Sequence, residues 1–114
     1  MFHGMTTGLS IALALLFFAA AAGKLSGQTQ EMGTHLGIDA PRWRVIGVLE
    51  LAGVVGVLVG LKWEWLAVAA AGGLLLTSIG AIATHVKAGD PPKAAVGASI
   101  GLALSCAVVV LQAT

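Results

Sequence analysis

Residues 44–61 read RVIGVLELAGVVGVLVGL. After the opening Arg44, the run contains one charged side chain, Glu50, and no proline. Such a stretch approaches the roughly 20 apolar residues that carry a helix across a bilayer. Its apolar positions do not alternate in steps of two, so it reads as a helix and not as a barrel strand. Three further runs have the same character, at about 8–24 (GLSIALALLFFAAAAGK), 65–85 and 94–111. With the run at 44–61 they use nearly the whole chain. The expected fold is all-α: a single integral-membrane domain over residues 1–114, built as a four-helix transmembrane bundle, antiparallel, up-down-up-down.

Composition points the same way. The chain has 114 residues, 58% hydrophobic and 10% charged, with a mean hydropathy of +0.98. An ordinary soluble domain is about a quarter charged. Six basic and five acidic side chains cannot cover the aqueous surface of a globule this size. A net charge of +1 without a Lys/Arg run gives no case for a nucleic-acid partner, none is expected, and the lipid bilayer is the expected surrounding. One cysteine, Cys106, excludes an internal disulfide and a cysteine metal cluster, and reads as a small buried apolar residue. The Ala19 to Ala22 run has no basic segment before it, so it reads as part of a span and not as a cleaved leader.

The punctuation agrees with four spans. Asp39 and Pro41 suit the start of the second span, and Pro91 and Pro92 the start of the fourth, just after Gly89, a natural stop for the third. Trp43, Trp63 and Trp65 stand where interfacial aromatic belts form. The long loop, 25–43, has room for a short helix over Gln28 to Leu36. With Met32 and Leu36 on one face, that helix should lie on the membrane surface or fold over the bundle. Lys62-Trp63-Glu64 is short enough to make the second and third spans a tight hairpin. The side holding the first and third loops carries Lys24, Arg42, Arg44, Lys87 and Lys93; the other carries only Lys62. Positive charge marks the cytoplasmic face, which puts these two loops in the cytoplasm and both termini outside.

An ionisable group within a span usually marks function. Glu50 lies six residues beyond Arg44, so roughly 9 Å deep at about 1.5 Å per residue. Lys24 and His85 end the first and third spans on the same side. Ser78 and Ser99 fall near the depth of Glu50. These five residues, Lys24, Glu50, Ser78, His85 and Ser99, can line one ligand-binding cavity open to the cytoplasmic side. Equally, Glu50 can be a structural partner of Lys24 or His85. No metal-ligand spacing and no catalytic residue is assigned, and haem ligation by His35 and His85 has little support. The remaining small and hydroxyl residues form stripes that suit close helix contact: Ala69, Gly73, Thr77, Gly80 and Thr84 on the third span, Gly97, Gly101 and Ser105 on the fourth, Gly53, Gly56 and Gly60 on the second.

Three pieces of sequence resemble the DoxX-like family of small four-helix bacterial membrane proteins. They are GKLSG at Gly23–Gly27, RVIGVLELAG at Arg44–Gly53, and His85 followed by Lys87-Ala88-Gly89-Asp90. The resemblance runs from the first span to the fourth. It implies an inner-membrane, multi-pass location and an association with redox or oxidative-stress systems. A quinone is the cofactor it makes a candidate, and Lys24, Glu50 and His85 become candidate site positions. The expected function is binding of a small lipophilic molecule, or of a membrane-protein partner or second copy, without catalysis of its own. The rival readings are a small proton-coupled transporter of the multidrug-resistance type, whose acid however lies in its first span, and an assembly subunit of a membrane complex.

Overall fold

The computed structural model describes residues 3–114, so the first two positions of the domain expected over 1–114 lie outside it. Five α-helices follow in order: α1 (His3–Ser26), α2 (Gln30–His35), α3 (Ala40–Val59), α4 (Glu64–Lys87) and α5 (Val96–Ala113), the last preceded by a 3-10 turn over Pro92–Ala95. No strand occurs among the described residues. By length and composition α1, α4 and the stretch Pro92–Ala113 are able to cross a membrane. α3 has the length too, but it carries Arg42, Arg44 and Glu50. It also begins at Ala40, ahead of the expected 44, because the Asp39 side chain accepts a hydrogen bond from the Arg42 N–H at 3.0 Å and caps the helix there.

α1 packs against α3 and α5, and α4 packs against the same two. Each long helix buries one narrow row. On α1 the row is Ser10, Leu13, Ala14, Phe17 and Ala21. On α3 it is Trp43, Gly47, Glu50, Val54 and Val57, on α4 Ala67, Ala71, Leu74 and Ser78, and on α5 Gly101, Ser105 and Val108. The three-and-four spacing is that of a helix seam. Outside the seam the helices stay apolar: Leu15, Leu49, Leu76 and Val86 are all exposed. Water would make such a surface costly, whereas hydrocarbon matches it, as expected of a membrane protein. Cys106, expected to be buried, is instead exposed, one position past the Ser105 row on α5.

Small residues bring α3 and α4 together. A Cβ on Gly53 would meet Leu74, one on Gly56 would meet Ala70, and one on Gly60 would meet Ala67. The partners run in reverse order, as a hairpin requires. The Gly60 contact is with Ala67 backbone at 2.6 Å, which no side-chain rotation relieves. Gly60→Ala should therefore lower stability by about 1–3 kcal/mol, the usual cost of overpacking. Gly72→Ala, where a Cβ meets nothing within 4 Å, should leave it unchanged or slightly higher. Denaturant titration of both variants in micelles checks the contrast.

The α4 stripe behaves differently from the α3 one. Cβ atoms on Gly73 and Gly80 would meet nothing within 4 Å, and the same holds for Gly97 on α5. These positions, expected to be helix contacts, face open space.

Candidate functional site

Lys24 stands in the last turn of α1, beside the first half of α3. A Cβ on Gly47 would come within 3.0 Å of Lys24 Cβ, so glycine there sets the approach of the two helices. One turn further along α3, Lys24 Nζ lies 2.8 Å from Glu50 Oε1, and the two side chains are only 12% and 4% exposed. At that distance the ammonium and the buried carboxylate oxygen form a close ion pair, largely shielded from water.

Trp43 was expected in an interfacial belt, but it is buried, because it occupies the Glu50 row of α3 two turns earlier. Lys24 Nζ sits 4.7 Å from its ring centroid, a cation–π distance. Its Nε1–H donates to Thr29 Oγ1 at 3.1 Å. Its ring also packs on Gly33 of α2, where a Cβ would intrude to 2.8 Å. A continuous stack thus runs from α2 through Trp43 and Lys24 to Glu50. Trp63 and Trp65, at the α3–α4 connection, are exposed as a belt requires.

Beside this stack lies a chamber of about 480 Å³, within the usual range for small-molecule sites. Leu16 and Phe17 of α1 and Ile46 and Leu49 of α3 give it apolar walls, and Met32 and Leu36 of α2 close over one end. α2 thus folds over the bundle. Lys24, Glu50, Ser78 and His85 all line the chamber, as do Thr77 and Thr84. The α4 stripe is therefore largely chamber wall.

Ser99 does not join them. It is exposed, its Oγ donates to the Ala95 carbonyl at 2.9 Å, and Gly97 and Ala98 form the α5 wall instead. A single residue step turns a helix by about 100°, which is enough to carry Ser99 off the chamber face. Gly97-Ala98-Ser99-Ile100-Gly101 also has the letters of a serine nucleophile elbow, but that motif sits on a strand-to-helix turn. Here the five residues lie inside α5, so Ser99 is not an activated nucleophile.

Asp90 was not foreseen. Its Oδ1 lies 2.6 Å from His35 Nε2 and its Oδ2 lies 2.7 Å from His85 Nδ1. Two glycine-ended helices make this geometry. Gly89 follows α4 with φ +76° and Gly37 follows α2 with φ +80°, conformations open to glycine. After each, the next N–H turns back onto its helix: Asp90 N–H donates to the His85 carbonyl at 3.0 Å, and Ile38 N–H to the Gly33 carbonyl at 2.8 Å. That reversal lays Asp90 over His85. Since a carboxylate only accepts, His35 Nε2 and His85 Nδ1 are the donors. His35 and His85, for which haem ligation has little support in the sequence, are both committed to one carboxylate, which fastens α2 to the end of α4.

Hydrogen bonds from His35, and then from His85, hold the Asp90 carboxyl below its ordinary value of 3.8. The folded carboxyl is the stronger acid, so the fastening is complete above about pH 3.8 and is lost as pH falls through the lower folded value. Amide exchange over residues 30–38 should therefore stay slow from neutral pH to below 3.8 and rise only in stronger acid. Asp90→Ala should show fast exchange over the same residues at neutral pH.

The model of the DoxX-like family matches residues 8–108. No curated protein and no solved structure matches the chain.

Proposed function

The chain belongs to the DoxX-like family, and from that premise we propose that it is a four-span membrane receptor for a small lipophilic molecule. In this reading α3 crosses the bilayer with α1, α4 and α5, the four alternate in direction, and the Lys24–Glu50 pair makes the charges of α3 tolerable there. The observation that carries the proposal is the chamber: apolar walls, a volume of about 480 Å³ and one buried ion pair at its side. Apolar walls with a few convergent polar groups are the usual form of a small-molecule site. A quinone is one candidate occupant, which accords with a redox or oxidative-stress role; no catalytic residue is assigned.

Mass spectrometry of the gently extracted protein tests this. The wild-type chain should release one lipophilic molecule per copy, and a variant that fills the chamber, Ala20→Phe with Ala81→Phe, should release none. Bulk phospholipid alone from both would overturn the reading, and a stoichiometric second protein would turn it toward an assembly subunit.

We also propose that the end bearing Lys24, Arg42, Arg44, Lys87 and Lys93 faces the cytoplasm of the inner membrane, with both termini outside. Because Cys106 is exposed, the check starts from Cys106→Ala. Cysteines at Thr34 and Ala88 should then react with an impermeant reagent only from the cytoplasmic side, and one at Thr114 only from outside. The opposite pattern would invert the topology.

A further inference from the structure

We infer that the chamber is loaded sideways from the bilayer, through a window between the halves of α3 and α4 nearer α2, and that its occupant carries a hydrocarbon chain that lies in that window. The inference rests on the chamber being a binding site. It adds the route in and the chemistry of the part that meets lipid.

The seam between α3 and α4 shows the window. On α3 the seam is the stripe Ile46, Leu49, Gly53, Gly56 and Gly60, whose steps of three and four keep to one helix face. On α4 the facing stripe is Ala67, Ala70, Leu74, Thr77, Ala81 and Thr84. Near the hairpin turn the stripes touch, with Gly60 on Ala67, Gly56 on Ala70 and Gly53 on Leu74. Past Gly53 and Leu74 both stripes continue, but there Ile46 and Leu49 on one side and Thr77, Ala81 and Thr84 on the other line the chamber. Two helices pinned by glycine at one end thus part at the other. The parted edges are open to the outside. Leu49 is 63% exposed although it is chamber wall. Gly80 is also wall and also exposed, and a Cβ there would meet nothing within 4 Å.

The edges of the window fix what it opens on. Its water-side end is crossed by α2, whose Met32 and Leu36 close over the chamber and whose His35 is tied to Asp90 beyond α4. Its flanks are apolar: Val45 on α3 and Leu76 on α4 are both exposed, a surface that hydrocarbon matches. The Thr77 and Thr84 hydroxyls donate to the Gly73 and Gly80 carbonyls of their own helix. A hydrated group passing here would be stripped of water, whereas a hydrocarbon chain exchanges one apolar surrounding for another. The chamber also reaches Ala20 and Gly97 at the seam between α1 and α5. There the α1 edge, Leu16 and Ala20, is half-buried, so that seam is the tighter of the two.

The probe is the methyl ester of stearic acid carrying a nitroxide in mid-chain, which quenches Trp43 when its chain enters the chamber. The protein is the Trp63→Phe/Trp65→Phe/Cys106→Ala chain in nanodiscs, in which Trp43 is the sole tryptophan. Quenching in the filled variant Ala20→Phe/Ala81→Phe of that chain is the background. Bridging Leu49→Cys/Ala81→Cys with a short bifunctional thiol reagent should slow loading roughly tenfold or more, the effect of a barrier raised by about 1.4 kcal/mol. The same reagent on Ala20→Cys/Gly97→Cys should leave the rate as it was, and so should Asp90→Ala, which unfastens α2. Leu49→Ala, which widens the window, should speed loading severalfold. Loading that persists after the first bridge, stops after the second, or quickens in Asp90→Ala would place the entrance elsewhere and overturn the inference, leaving the chamber a binding site. Failure of the cysteines at 49 and 81 to bridge, read from intact mass, would show that the two edges do not face each other and overturn it equally. Quenching no greater than background would mean that no chain enters. If the gently extracted protein then still releases a lipophilic molecule, this inference alone falls; if it releases none, the chamber reading falls with it.

Discussion

Glu50→Ala should lower the stability of the folded chain by about 3–5 kcal/mol, because it strands the Lys24 ammonium at a buried site. Lys24 is only 12% exposed and has no other carboxylate partner among the described residues. The Trp43 face offsets part of the loss, but a cation–π contact contributes only about 0.5–2 kcal/mol. Replacing the pair together, Lys24→Met/Glu50→Leu, should recover most of the stability, since well-packed apolar substitutes for a buried pair are often neutral or better. Unfolding by denaturant in mixed micelles reads both variants. If the single change proves harmless, the pair does not hold α1 to α3, and Glu50 serves the chamber alone.

Trp43→Ala should be of similar size, about 3–5 kcal/mol, the range for emptying a buried aromatic site. It differs in where the damage spreads. The indole supports three things at once: Gly33 of α2 rests on it, Thr29 accepts its N–H, and Lys24 lies across its face. Its loss should therefore raise amide exchange over residues 27–39 and loosen the chamber's cover, not merely lower the midpoint of unfolding. Trp43→Phe keeps a ring under Gly33 but drops the hydrogen bond to Thr29, and should cost about 1 kcal/mol. Equal exchange over residues 27–39 in the alanine variant and the wild-type chain would show that α2 is held by the Asp90 fastening alone.

The class of the fold was legible because apolar composition and span length are averages over many residues. Asp39, Gly60 and Gly89 then set the helix ends by local chemistry. Depth depends on the helix start, and because Asp39 caps α3 at Ala40, Glu50 stands ten residues into its helix and not six beyond a start at Arg44. Facing was legible only in part. Lys24, Glu50, Ser78 and His85 do line one chamber while Ser99 does not; the buried row of α5 is Gly101, Ser105 and Val108, and Ser99, two residues before Gly101, stands about 200° away from it. Trp43 was misread as a belt residue although it is seven positions before Glu50, two turns on the same face. That spacing was the available signal. Asp90 lay hidden for another reason: its partner His35 is distant in sequence, and only the glycine turn after α4 aims the carboxylate back. The α4 stripe shows that small residues serve two opposite ends, close packing and leaving room, and only the neighbour across the gap decides which.

The fastening between His35 and Asp90 spans 55 residues of chain. On a ribosome, α2 is made well before its anchor exists, and α3 and all of α4 must follow before Asp90 can reach it. The cover is thus the last part of this end to be secured, after the walls from α1, α3 and α4 are in place. A guest present in the membrane at birth would meet this end of the chamber before α2 is fastened across it.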